Sequence, residues 1–116
     1  MCQQSNGTPM KKFLLVIKVK PECRDEYIDI HKNPWPEMLE AIRDAGFTNE
    51  VIWYFEDQSI IYLECPDHDA CNAALRATEV CKKWDIKMTP MFEGGVAMPE
   101  KIFDLNQQLA GELLPD

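Results

Sequence analysis

The chain lacks most of the signatures that announce a common enzyme class. It has no glycine-rich phosphate loop, no GxSxG nucleophile elbow and no paired-carboxylate pattern. Its five cysteines, Cys2, Cys23, Cys65, Cys71 and Cys81, are odd in number and irregularly spaced. None forms a CxxC pair, which excludes a zinc ribbon or a thioredoxin-like site. They read as reduced thiols, some packed in the core as small hydrophobes. The two histidines, His31 and His68, are far apart in sequence, and no HxH or HxxxH pair occurs. No metal site is expected on that basis.

Basic charge is also scarce. Lys and Arg number 12 against 20 Asp and Glu, for a net charge of −8. Nucleic acid and anionic membranes need a basic face, so neither is expected as a partner. A neutral small molecule fits this charge, whereas an anionic substrate would need a local basic pocket. Residues 1–10 are mostly polar and resemble no signal peptide, and the apolar run Phe13–Ile17 is too short to span a bilayer. A cytoplasmic location follows as the expectation. No internal repeat or low-complexity segment is present.

What is there is one domain's worth of chain: 116 residues, 46% of them hydrophobic, enough for a real core. Residues 1–10 read as a disordered leader, 11–105 as the domain and 106–116 as a C-terminal tail. Residues 11–20 alternate as a strand, with Phe13, Leu15, Ile17 and Val19 on one face. Pro21 suits the first turn of a helix that reaches about His31, with Cys23, Tyr27, Ile30 and His31 inward. Pro34 forces a bend, and a second helix starts at Pro36 and ends at Gly46. Residues 50–56 and 60–65 read as strands joined by a turn at Asp57-Gln58-Ser59. Pro66-Asp67 opens a third helix, and Thr78-Glu79 caps a fourth carrying Cys81, Trp84 and Met88. Residues 89–93 read as a short fourth strand that Gly94-Gly95 breaks. Ile102, Phe103, Leu105, Leu113 and Leu114 make the end of the chain apolar enough to dock on something.

The order β-α-α-β-β-α-α-β predicts an α+β fold, a ferredoxin-like four-stranded antiparallel sheet with helices on one face. The other sheet face is rich in apolar side chains, and a second copy would cover it. The expected assembly is a homodimer, a dimeric α+β barrel.

The candidate chemistry lies in Tyr27-x3-His31-x3-Trp35-Pro36-Glu37. Four residues is about one helical turn, so Tyr27 and His31 share a face. Imidazole titrates near pH 6.5 and can move protons at neutral pH. The plain alternative is an inward-packed pair with satisfied hydrogen bonds. His68, at a helix start, reads as solvated. Trp84, amid charged neighbours, divides evenly between packing and lining a pocket.

Several stretches together resemble the L-rhamnose mutarotase family. These are Tyr27-Ile28-Asp29-Ile30-His31, Trp35-Pro36-Glu37-Met38, Ala45-Gly46, Trp84, and Met88-Thr89-Pro90-Met91-Phe92-Glu93. The resemblance spans about residues 11–105. It implies a dimeric α+β barrel that interconverts the α and β anomers of a free 6-deoxy sugar without a cofactor. It carries the catalytic role onto His31, a substrate-binding hydroxyl onto Tyr27 and a sugar-contacting indole onto Trp84. The family pattern has a tyrosine where Glu50 falls and a second tryptophan where Asp85 falls. Both changes replace an aromatic wall with a carboxylate that accepts bonds from sugar hydroxyls. Glu50 and Asp85 are therefore expected to bind substrate, and L-fucose becomes an option beside L-rhamnose. Two other classes remain open: a small monooxygenase or haem-handling protein with His31 as ligand, and a non-catalytic module that binds a small molecule.

Overall fold

The computed structural model describes residues 10–111. The expected leader, apart from Met10, and residues 112–116 lie outside the described residues. Four strands, β1 (Lys11–Val19), β2 (Asn49–Phe55), β3 (Gln58–Cys65) and β4 (Phe92–Ala97), form one antiparallel sheet in the order β2-β3-β1-β4. Two helix pairs make the crossovers: α1 (Arg24–Lys32) with α2 (Pro36–Asp44), and α3 (His68–Arg76) with α4 (Glu79–Met88). This is the ferredoxin-like arrangement the sequence predicts.

Local chemistry sets the helix ends. Pro21–Cys23 make a 3-10 turn ahead of α1, and α1 stops one residue short of the Asn33-Pro34 step. Pro36 opens α2, where its missing N–H costs nothing. Past the end of α2, Gly46 has φ +115°, and a Cβ there would lie 2.7 Å from Cys71 Sγ, so only glycine lets α2 and α3 meet this closely. Asp67 caps α3 by accepting from the Ala70 N–H, and Thr78 caps α4 by accepting from the Cys81 N–H.

Two turns differ from the sequence reading. The β2–β3 turn is Glu56-Asp57, both with positive φ, rather than Asp57-Gln58-Ser59. A two-residue turn of this hand matches the strand twist, and it frees Gln58 and Ser59 to join β3. Residues Thr89–Met91 form a 3-10 turn, and β4 runs straight through Gly94-Gly95. Lys18 pairs with Glu93 and Ile17 with Val96, so the two glycines bulge out of the ladder instead of ending it.

Phe13, Leu15, Ile17, Ile52, Ile61, Leu63 and Cys65 lie on the helix side of the sheet and build a core with Phe47 and Cys71. Val19, Tyr27, Ile30, Met88 and Met91 form a second cluster toward α1 and α4. The opposite sheet face carries Leu14, Val16, Val51, Ile60 and Tyr62, with Trp53 56% and Phe55 61% exposed. One end of that face meets the C-terminal segment. Lys12 Nζ donates to Asp104 Oδ2 at 2.8 Å, and Asp104 caps α5 (Leu105–Ala110). The helix straddles the boundary expected at residue 105. Ile102 and Leu109 stay 80% and 77% exposed.

Candidate active site

A cavity of about 770 Å3 lies between the sheet and the helices, and Tyr27, His31, Glu50, Trp84 and Asp85 all line it. The five sequence candidates therefore line one cavity, although they come from three elements.

His31 sits in the last turn of α1, one turn after Tyr27. Its Nδ1 lies 2.7 Å from the Tyr27 main-chain oxygen. A carbonyl oxygen only accepts, so Nδ1 carries the hydrogen, and the neutral ring keeps its lone pair on Nε2. Burial pushes the His31 pKa below the ordinary imidazole value, and the bond to the carbonyl opposes this in part. The Tyr27 ring lies against the imidazole, with centroids 4.2 Å apart. The Trp84 indole stands edge-on to it at 5.5 Å, and Trp35 braces Trp84 at 5.1 Å. The ring is thus clamped in orientation while one nitrogen is left to act.

The Tyr27 hydroxyl donates to Ser59 Oγ at 2.6 Å, with both side chains buried. Burial pushes the phenol pKa up, and the nearby Glu50 and Tyr54 push the same way. The phenol therefore stays protonated at neutral pH. Ser59 was legible only as a turn residue. It is the small polar group in an otherwise apolar strand row, and it takes the proton that Tyr27 must place.

Glu50 projects to the helix side of the sheet, in the row Phe13–Leu63–Glu50. Its side chain is open to the cavity and makes no hydrogen bond or ion pair among the described residues. The residue is exposed, yet the groups around it partly desolvate the carboxyl, which pushes its pKa above the usual range. Asp85 has a partner that the sequence did not reveal. Arg76 Nη1 donates to its Oδ2, and the same nitrogen lies 3.8 Å from Cys81 Sγ. The bond to Asp85 raises the Arg76 pKa further. Asp85 thus offers the cavity a carboxylate already fixed by a guanidinium.

His68 departs from the sequence reading. Its side chain is only 16% exposed and packs on Phe13 at 5.2 Å and Phe47 at 6.3 Å, lining the cavity's other end. The imidazole's apolar body covers core surface that the short α3 entry would leave wet. Among the described residues, no group of three His, Cys, Asp or Glu side chains is placed to hold a metal ion. No helix among them is long and apolar enough to cross a membrane.

A four-stranded antiparallel sheet with paired helices on one face, and a deep cavity between the layers, defines an α+β protein of the dimeric-barrel fold class. Solved structures agree. The L-rhamnose mutarotase of Formosa agariphila superposes with a TM-score of 0.67 at 17% identity, over 82% of this chain and 98% of that one. An antibiotic biosynthesis monooxygenase described as putative, from Nitrosomonas europaea, gives 0.61 at 13% identity, over 84% and 91%. At these identities the likeness shows the fold alone. Sequence narrows it. The L-rhamnose mutarotase profile matches residues 12–109. An L-rhamnose mutarotase of Lactiplantibacillus plantarum is 34% identical over 80 residues, 67% of this chain and 76% of its own. One from Bacillus subtilis is 28% identical over 100 residues, 84% and 95%. The chain belongs to the L-rhamnose mutarotase family, and it is an enzyme of the isomerase type.

Proposed function

We propose that this protein interconverts the α and β anomers of a free 6-deoxy sugar, L-rhamnose or L-fucose, with His31 as the catalytic group. The observation that carries the reading is the Nδ1 contact to the Tyr27 carbonyl, which leaves Nε2 as the working base. Ring opening needs a proton taken from the anomeric O1–H and a proton given to the ring oxygen O5. Both oxygens are bonded to the anomeric carbon, so one nitrogen reaches both. Nε2 takes the O1 proton, the C1–O5 bond breaks, and the imidazolium returns the proton to O5. Closure on the other face of the carbonyl reverses these steps. The free sugar already holds a masked aldehyde, so acid–base help is sufficient.

Trp84 supplies an apolar wall for the sugar's CH face and holds the imidazole upright. Glu50 and the Asp85–Arg76 pair accept from and donate to sugar hydroxyls. Tyr27 binds at the base of the site, its own proton committed to Ser59 and its oxygen left as an acceptor. The homodimer belongs to the same proposal: a second copy would cover Trp53 and Phe55 on the open sheet face. The cytoplasm fits the four described cysteines, all free thiols.

The test is a panel of free sugars followed by saturation transfer between anomeric protons. L-rhamnose or L-fucose exchange should accelerate in proportion to enzyme concentration. Uncatalysed rates for every sugar, with binding retained, would instead identify a binding module.

A further inference from the structure

The cavity is longer and roomier than one sugar needs. A 6-deoxyhexose has eleven non-hydrogen atoms, and at roughly 20–30 Å3 each in condensed matter it fills roughly 220–330 Å3. The cavity holds about 770 Å3.

Sheet register shows how that space is laid out. One cross-strand row is Ile17–Ser59–Tyr54, and Tyr27 with His31 stands on it through the Ser59 bond. A second row is Phe13–Leu63–Glu50, and His68 packs on it through Phe13. The rows are four residues apart on each of three strands, about 13 Å at ~3.3 Å per residue. His31 therefore marks one end of the cavity and His68 the other.

Polar side chains line the cavity there beside apolar ones. Asn72 enters from α3, Arg43 from the last turn of α2, and Glu50 from β2. None of the three side chains makes a hydrogen bond or ion pair among the described residues. An amide, a guanidinium and a carboxyl together present both donors and acceptors, which is what a ring of hydroxyls requires. An anionic group fits less well, because the Glu50 carboxyl lines the same cavity.

We propose that the end of the cavity lined by Asn72 and Arg43 is a second sugar subsite, with Glu50 between it and the reacting ring, so that the enzyme accepts a reducing disaccharide. This rests on the mutarotase reading. The reducing ring sits at His31, and the second ring is attached through a hydroxyl remote from the anomeric carbon, such as O4. The reaction itself is unchanged, since only the reducing end opens.

The experiment compares anomeric exchange of free L-rhamnose with that of a disaccharide glycosylated at O4 of a reducing L-rhamnose. Wild-type kcat/KM for the disaccharide should match or exceed that for L-rhamnose. In Asn72→Ala and Arg43→Met, the disaccharide-to-rhamnose ratio should fall about tenfold. On the wild-type protein, the disaccharide should shift the Asn72 side-chain amide resonances, and L-rhamnose should leave them in place. Accelerated rhamnose exchange without disaccharide exchange would overturn the subsite and leave the mutarotase standing. An unchanged ratio in both variants would overturn it equally. No exchange with either sugar, nor with free L-fucose, would remove the mutarotase reading, and the subsite with it.

Discussion

The Nδ1 atom of His31 lies 2.7 Å from the main-chain oxygen of Tyr27, one turn earlier on the same helix. The contact uses a carbonyl that faces the helix's own C-terminal turn, so no separate orienting carboxylate is needed. It selects the tautomer, and burial beneath Trp84 and against Tyr27 keeps the ring neutral at pH 7.

The pH dependence follows from that neutral base. Burial sets the folded His31 pKa below its ordinary 6.5. Anomer exchange should hold level through neutral pH and fall only in an acid limb below 6.5. Stability has the same sign. The unfolded imidazole binds a proton more readily, so His31's contribution is complete above 6.5 and is lost as pH falls toward the folded value. A kcat/KM profile from pH 4 to 9 checks this. A midpoint above 7 would contradict it.

The Tyr27–Ser59 bond should be a structural necessity. Ser59→Ala leaves a buried phenol without its acceptor, which should cost about 1–3 kcal/mol in urea unfolding. Adding Tyr27→Phe should recover part of that loss, because no buried hydroxyl is then left unpaired. A double variant no better than Ser59→Ala would argue against the bond.

Glu50 should work against stability at neutral pH. Its folded pKa is raised, so its favourable contribution exists at low pH and disappears as pH rises through the folded value. Glu50→Gln should raise Tm at pH 7 by about 2 °C, a small shift because the carboxyl faces an open cavity, and leave it unchanged at pH 4. Sugar affinity should drop in the same variant. A lower Tm at pH 7 would mean that Glu50 has a stabilising partner.

Covering the open sheet face should require Trp53. Trp53→Glu puts a charge on the apolar face and should weaken a dimer at least about 30-fold, as loss of an aromatic anchor does. Sedimentation velocity of both proteins at micromolar concentration measures it. A wild-type monomer would contradict the assembly outright.

Much of this was legible in the sequence, for physical reasons. Alternation in Phe13–Val19 and the prolines at 21, 34 and 36 act locally, so β1, the bend and both helix starts could be read directly. Tyr27 and His31 share a face by helical spacing alone. The turn at Glu56-Asp57 was misplaced because positive φ at a glutamate has no sequence signal. Gly94-Gly95 looked like a stop because a bulge is visible only when the partner strand's register is known. Ser59, Arg76 and the buried setting of His68 depend on neighbours 32, 9 and 55 residues away, which spacing cannot supply.

The central claim is that His31 Nε2 moves the proton at the anomeric centre. Saturation transfer between the α and β anomeric protons of L-rhamnose, with wild type and His31→Asn at equal concentration and matched Tm, tests it most directly. The account predicts a rate loss of about 10²–10⁴-fold in the variant. Near-normal exchange in a folded His31→Asn protein would contradict it.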